Sequence, residues 1–157
     1  MFSSSRFFDR STPPHIFTLI VAAAVSSVGM NILLPALGEM AEHFATNFTT
    51  IQYAVSGYLA ATALLQLLIG PLSDRFGRRP VMLWGFALFI LFSLVCAMAP
   101  NFEIFIAARM AQAVVATGIV LSRTIIRDRY AQDKAASMIG YVTMGMAVAP
   151  MLGPAVG

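Results

Sequence analysis

The chain has 157 residues, 59% of them hydrophobic and 11% charged, with a mean hydropathy of +0.80. A soluble domain carries about 25% charged residues, so this composition excludes an ordinary water-soluble domain and makes lipid the expected solvent. The net charge of +3 then bears on which side of a membrane the basic residues occupy, and nucleic acid is not an expected partner.

Five stretches are long enough to span, a span needing about 20 mostly apolar residues. Before them, residues 1–14 form a polar tail with Arg6 and Arg10. The first span covers 15–37, after Pro13 and Pro14, where proline suits a helix start. The second covers 51–71, with Thr49 and Thr50 as capping candidates. The third covers 81–99. The fourth covers 102–126, with Asn101 as its cap and Glu103 in the first turn, favourable to the helix dipole. The fifth covers 135–157. The single cysteine, Cys96, has no disulfide or metal partner in sequence. No nucleophile–base pair, phosphate loop or metal cluster stands out, so the reading is a non-enzyme with no cofactor, no metal and no catalytic residue.

The loop charges sort by side. Arg6 and Arg10, then Arg75, Arg78 and Arg79, then Arg123, Arg127, Arg129 and Lys134 fall on one face. Glu39, Glu42, His43 and Glu103 fall on the other. Basic residues mark the cytoplasmic face, which makes the N-terminal tail cytoplasmic.

Within this frame, "GPLSDRFGRRPVML" at 70–83 gathers Asp74, Arg75, Arg78 and Arg79 between two uncharged spans. Gly70 and Gly77 flank the acid, offering close helix approach or positive φ. In the fourth span, Arg109 lies eight residues past Asn101, about 12 Å along a helix, and so at membrane depth. An arginine there faces the bundle interior. Arg109, Gln112, Ala113, Ala116 and Thr117 follow helical spacing as one polar, small-residue stripe.

The remaining spans supply walls. Gly145, Ala149, Gly153 and Gly157 recur every four residues, a face for close helix approach, and Pro150 and Pro154 each remove a backbone donor and invite a kink. Ala24, Ser27 and Asn31 share a face of the first span, and Tyr58, Thr62 and Gln66 a face of the second. The third span carries Phe86, Phe89 and Phe92 with little polar beyond Ser93 and Cys96, so it is expected to face lipid. A central cavity would be lined by spans one, two, four and five. Most of the ten methionines are expected simply to pack.

The 70–83 stretch resembles the signature loop of the major facilitator superfamily, with Gly70, Leu72, Asp74, Arg75, Gly77, Arg78, Arg79 and Leu83 at matching positions. "RMAQA" resembles the family's helix-four motif, with Ala113 where glycine is common. "GYVTMGMAVAPMLGPAVG" resembles the antiporter motif of its drug exporters, with Ala149 replacing a usual glycine. "LLPALGEM" and "SRTIIRD" are most similar to the Bcr/CflA group of bacterial drug exporters. The resemblance implies an all-α polytopic membrane protein of the major facilitator fold, residues 15–157 being five helices of a six-helix half. It implies that Gly70, Asp74, Arg75, Gly77, Arg78 and Arg79 form a cytoplasmic gate loop and that Arg109 and Gln112 serve coupling. Ser27, Asn31, Tyr58, Thr62 and Gln66 would then line the substrate cavity. Asn31 departs from the pattern, since relatives often carry an acid four residues before the proline, here Pro35.

The expected function is therefore part of a secondary active transporter in a bacterial inner membrane, exporting drugs or amphipathic small molecules against protons by alternating access. Its partners would be the small-molecule substrate, protons, the lipid bilayer and a C-terminal half beyond residue 157. The alternatives are a same-fold nutrient or metabolite carrier, or a truncated non-transporting membrane protein.

Overall fold

A computed structural model describes residues 14–31 and 37–156, with side chains as far as 151. Arg6, Arg10, Pro13, Pro35 and Gly157 lie outside the described residues, and of Gly153 and Pro154 only helical backbone is described. The described chain is all helix, with no strand among its residues.

Helix α1, Ile16–Asn31, is short and rich in alanine and serine. The small α2, Leu37–His43, follows, and Phe44 just after it stacks on Phe102 and Phe105 at ring-centroid distances of 5.7 and 5.4 Å. That contact seats the loop on the start of the fourth span. Helix α3, Phe48–Phe76, begins earlier than expected, with Asn47 rather than Thr49 or Thr50 at its N-cap. Its 29 residues give about 43 Å at 1.5 Å per residue, more than the roughly 30 Å hydrocarbon thickness. The end carrying Asp74 and Arg75 therefore projects towards the headgroups.

The expected linker after 71 is almost absent. Helix α4, Arg78–Ala97, starts two residues after α3 ends, and Gly77 alone joins them. Gly77 has φ +92° and donates its N–H to the Ser73 carbonyl at 2.9 Å. An L-side chain is strained at that φ, so glycine makes the abrupt turn possible. Helices outlast the apolar stretch because polar residues can remain helical at the membrane edge. Pro80 is tolerated because it sits in the first turn of α4, where a missing N–H costs nothing.

The fourth span is interrupted, where sequence periodicity implied one continuous helix. Helix α5, Phe102–Ala111, gives way to a 3-10 turn at Gln112–Val115 and then to α6, Ala116–Arg129. Asn101 caps α5 as expected, its Oδ1 accepting from the Ile104 N–H at 2.9 Å. Helix α7, Gln132–Val156, runs helically through Pro150 and Pro154.

Among the described residues, three helical stretches are long and apolar enough to cross a membrane, Phe48–Phe76, Arg78–Ala97 and Phe102–Arg129. The last forms the centre of the bundle, with α1, α3 and α4 packed on it. Close approach is built into the sequence: a Cβ on Gly118 of α6 would lie 2.7 Å from the Ala22 carbonyl of α1. The hydroxyl of Ser26 donates to the Val115 carbonyl at 2.8 Å, and that of Ser122 to the Leu19 carbonyl at 3.0 Å. Polar side chains thus tie α1 to the central span where lipid supplies no hydrophobic drive between helices.

Candidate transport and gate sites

Arg109 stands in the last turn of α5 and is 4% exposed. An arginine at that depth is expensive unless it is partnered, and here three elements supply partners directly, with a fourth reached through Gln112. Nη1 donates to Gln112 Oε1 at 2.7 Å, and Nη2 to the Gly29 carbonyl of α1 at 2.8 Å. The guanidinium carbon sits 4.1 Å from the Tyr58 ring centroid on α3, within cation–π range. Gln112 in turn donates through Nε2 to Ser93 Oγ of α4 at 2.8 Å. The 3-10 turn begins at Gln112, so the tightened backbone lies inside this network. Such mid-helix 3-10 turns often mark functional hinges.

Three buried polar atoms around this centre have no partner among the described residues: Arg109 Nε, Tyr58 Oη and Thr62 Oγ1. Tyr58 and Thr62 lie one turn apart on α3. Unsatisfied groups of this kind are uncommon in native interiors, and here they leave donors and acceptors available beside a fixed positive charge.

A cavity of about 610 Å³ opens on the other side of the network. Its walls are Val21, Ala24, Val25, Val28 and Gly29 of α1, Phe89 and Ser93 of α4, Arg109, Gln112, and Ala149 of α7. The expected cavity residues do not line it. Ser27 is buried and donates to the Met146 carbonyl of α7 at 2.8 Å, a tie between helices. Asn31 is exposed and donates to the Ser27 carbonyl of its own helix at 2.8 Å. Gln66 is half-buried. The third span, expected to face lipid, leaves most of its surface exposed, but Phe89 and Ser93 turn inward to this cavity and to Gln112. Arg109, Gln112, Ala113, Ala116 and Thr117 are all buried on the inner side of the central span, as their spacing implied.

The charged cluster lies at one end of the bundle. Arg78, first residue of α4, is shared between two carboxylates: Asp74 one turn earlier, at 3.3 Å, and Asp128 near the end of α6. Asp74 and Arg78 therefore link the α3–α4 junction to the central span. Arg75 and Arg79 are exposed, and Arg75 lies over the Phe76 ring at 5.5 Å. Gly70 sits inside α3 with open space where a Cβ would point, so within this chain neither close approach nor positive φ accounts for it. On α7, a Cβ at Gly145 would lie 2.7 Å from Ile20 Cγ2, which makes that glycine a contact point with α1, the helix α7 packs against most extensively. Ala149 and Pro150 are half-buried.

Asp128, Ser93 and the Gly29 carbonyl escaped the sequence reading. Asp128 carried a signal: an acid between Arg127 and Arg129, in a run otherwise read for its basic residues. Ser93 and Gly29 carried none, because only the packing of α4 and α1 brings them to Gln112 and Arg109.

The family model described as Major Facilitator Superfamily matches residues 19–157. The chain belongs to the major facilitator superfamily. Among its relatives in that superfamily, Multidrug resistance protein D of Escherichia coli (strain K12) is 33% identical over 144 residues, covering 90% of this chain and 36% of that protein. A Chloramphenicol resistance protein of Pseudomonas aeruginosa is 36% identical over 135 residues, covering 85% of this chain and 32% of that protein. A Bicyclomycin resistance protein homolog of Haemophilus influenzae is 28% identical over 150 residues, covering 95% of this chain and 38% of that protein. The chain spans about a third of the length of these curated relatives. As a major facilitator protein it is an all-α helical membrane protein of a transporter family, and its two polar centres, the Arg109 network and the Arg78 cluster, are joined by the central span.

Proposed function

We propose that this chain works as part of a secondary active transporter in a bacterial inner membrane, exporting drugs or other amphipathic small molecules in exchange for protons. The buried Arg109 network carries the reading. A fixed positive charge at membrane depth, with unpartnered Tyr58 and Thr62 hydroxyls beside it, is a place where substrate or a proton-carrying group can be sensed. The names of the relatives favour drugs as the substrate class. Alternating access requires a second half to rock against, which a C-terminal half would supply, and the Arg78 cluster would latch the end where they meet.

Orientation belongs to the same proposal: the basic end of the bundle faces the cytoplasm. An impermeant thiol reagent on intact cells, in a Cys96→Ala background, is expected to label Thr46→Cys and to spare Phe76→Cys. The reverse pattern would invert the topology.

The functional test is drug efflux and proton uptake in proteoliposomes containing the protein that carries this chain. Efflux of several unrelated drugs that collapses with a protonophore supports the reading. A second reading, a same-fold carrier of nutrients or metabolites, is favoured by Asn31, which cannot exchange a proton as an acid would. It gains support if drugs are not moved while a single solute class is, indifferent to the proton gradient.

A further inference from the structure

A second cavity, about 740 Å³, lies between α3 and α4. It is not part of the Arg109 network. Its walls are almost wholly apolar, with Leu68, Leu72, Trp84 and Leu88 among them, and Arg75 is the one charged residue lining it. Leu68, Leu72 and Trp84 are well exposed, Trp84 at 69%, so the groove opens outward from the bundle towards what would be hydrocarbon. Arg75 stands at its charged end. Asp74 and Asp128 both pair with Arg78, and Arg75 has no carboxylate partner among the described residues. Trp84 lies six residues past Arg78, about 9 Å along α4, close to the depth where tryptophan gathers at membrane interfaces.

A hydrocarbon-lined groove with an uncompensated guanidinium at its mouth matches one chemistry. An acyl chain suits the walls, and a phosphate suits the planar, forked guanidinium. Basic pockets between transmembrane helices commonly take anionic headgroups. We propose that the α3–α4 groove holds an anionic phospholipid, one acyl chain along Leu68, Leu72, Trp84 and Leu88 and the phosphate on Arg75. This lipid would sit against the same α3–α4 junction that carries Arg78, so its binding is placed to influence the charged cluster. The inference does not depend on what the protein transports.

Trp84 is the single tryptophan of the chain and therefore reports on its own groove. The protein that carries this chain, with every tryptophan except Trp84 replaced by phenylalanine, is reconstituted in phosphatidylcholine bilayers containing small, equal fractions of either brominated phosphatidylglycerol or brominated phosphatidylcholine, and Trp84 quenching is read. Brominated phosphatidylglycerol is expected to quench at a several-fold lower mole fraction, and excess unbrominated phosphatidylglycerol to reverse that difference. Arg75→Gln should bring the two curves together. Arg129→Gln, at the same end of the bundle but outside the groove, should leave the preference in place. Equal quenching by the two lipids with Arg75 intact would overturn the proposal. So would a preference that survives Arg75→Gln, or a Trp84 that neither lipid reaches because protein covers the groove. The unbrominated-lipid competition decides the matter with Arg75 intact, should Arg75→Gln fail to fold.

Discussion

Helix α4 and the central span formed by α5 and α6 are both apolar enough to cross a membrane, yet they occupy opposite environments. Of the most apolar stretch of the central span 61% is buried inside the bundle, against 11% for α4, although α4 is the more apolar of the two. Hydropathy therefore places both in the bilayer and says nothing about which lies inside. The sorting comes from residue size and polarity. Helix α4 exposes Leu83, Trp84, Ile90, Leu91 and Leu94, whereas α6 buries Ala116, Thr117, Gly118 and Ser122. Bulky aliphatic surface is as comfortable against lipid tails as against protein. Small residues let backbones meet, and hydroxyls need partners that lipid does not offer.

The largest expected effect comes from the charge at the centre. Arg109→Ala leaves Gln112 Oε1 and the Gly29 carbonyl without their donor. Unsatisfied buried acceptors cost about 1–3 kcal/mol each, and proton-driven efflux is expected to fall to background in proteoliposomes. Arg109→Lys keeps the charge but not the fork that serves two acceptors, and should retain part of the flux. Full coupling in Arg109→Ala would remove the arginine from the mechanism.

Next in size is the helix crossing at Gly118. Gly118→Leu must force α1 and α6 apart, and overpacking of this kind costs about 1–3 kcal/mol. Leu91→Ala on the outer face of α4 is expected to shift stability by less than about 0.5 kcal/mol. Thermal unfolding of both variants in one detergent measures the contrast, and equal losses would erase the distinction between inner and outer spans. Gly77→Ala should cost about 1–3 kcal/mol because φ +92° with ψ 145° is close to a region that only glycine populates readily, read in the same unfolding assay. The smallest effect on stability is Asp128→Asn. Asp128 is half-exposed, and such pairs contribute about 0.2–1 kcal/mol. Its effect should appear in transport rate instead, and an Asp128→Asn protein with normal flux would reduce the Arg78 cluster to a topological anchor.

Much of the fold was legible because lipid imposes a simple rule: an apolar run of sufficient length becomes a helix. The rule fails at the ends. It placed a linker after 71, where the backbone stays helical to Phe76 and Gly77 turns alone. It also gave one helix over 102–126, where a 3-10 turn intervenes at Gln112–Val115, since a local tightening leaves the hydrophobic pattern intact. At the site, Arg109 and Gln112 were legible because a charge at membrane depth has few explanations. Ser27 was misleading: its spacing with Ala24 and Asn31 gave the face but not the neighbour, and α7 claims its hydroxyl. Asp128 paired with Arg78 only once the α3–α4 junction lay against the end of α6, a tertiary fact that no local pattern contains.

The contrast between the two spans can be measured without any substitution. A lipid-soluble carbene precursor is photolysed in membranes containing the protein, and labelled residues are located by peptide mass spectrometry. The account predicts dense labelling on α4 at Leu83, Ile90, Leu91 and Leu94, and almost none on α6 from Ala116 to Ile126. Comparable labelling of the two helices would contradict it, because the span that carries the Arg109 network would then lie against lipid rather than at the centre of the bundle.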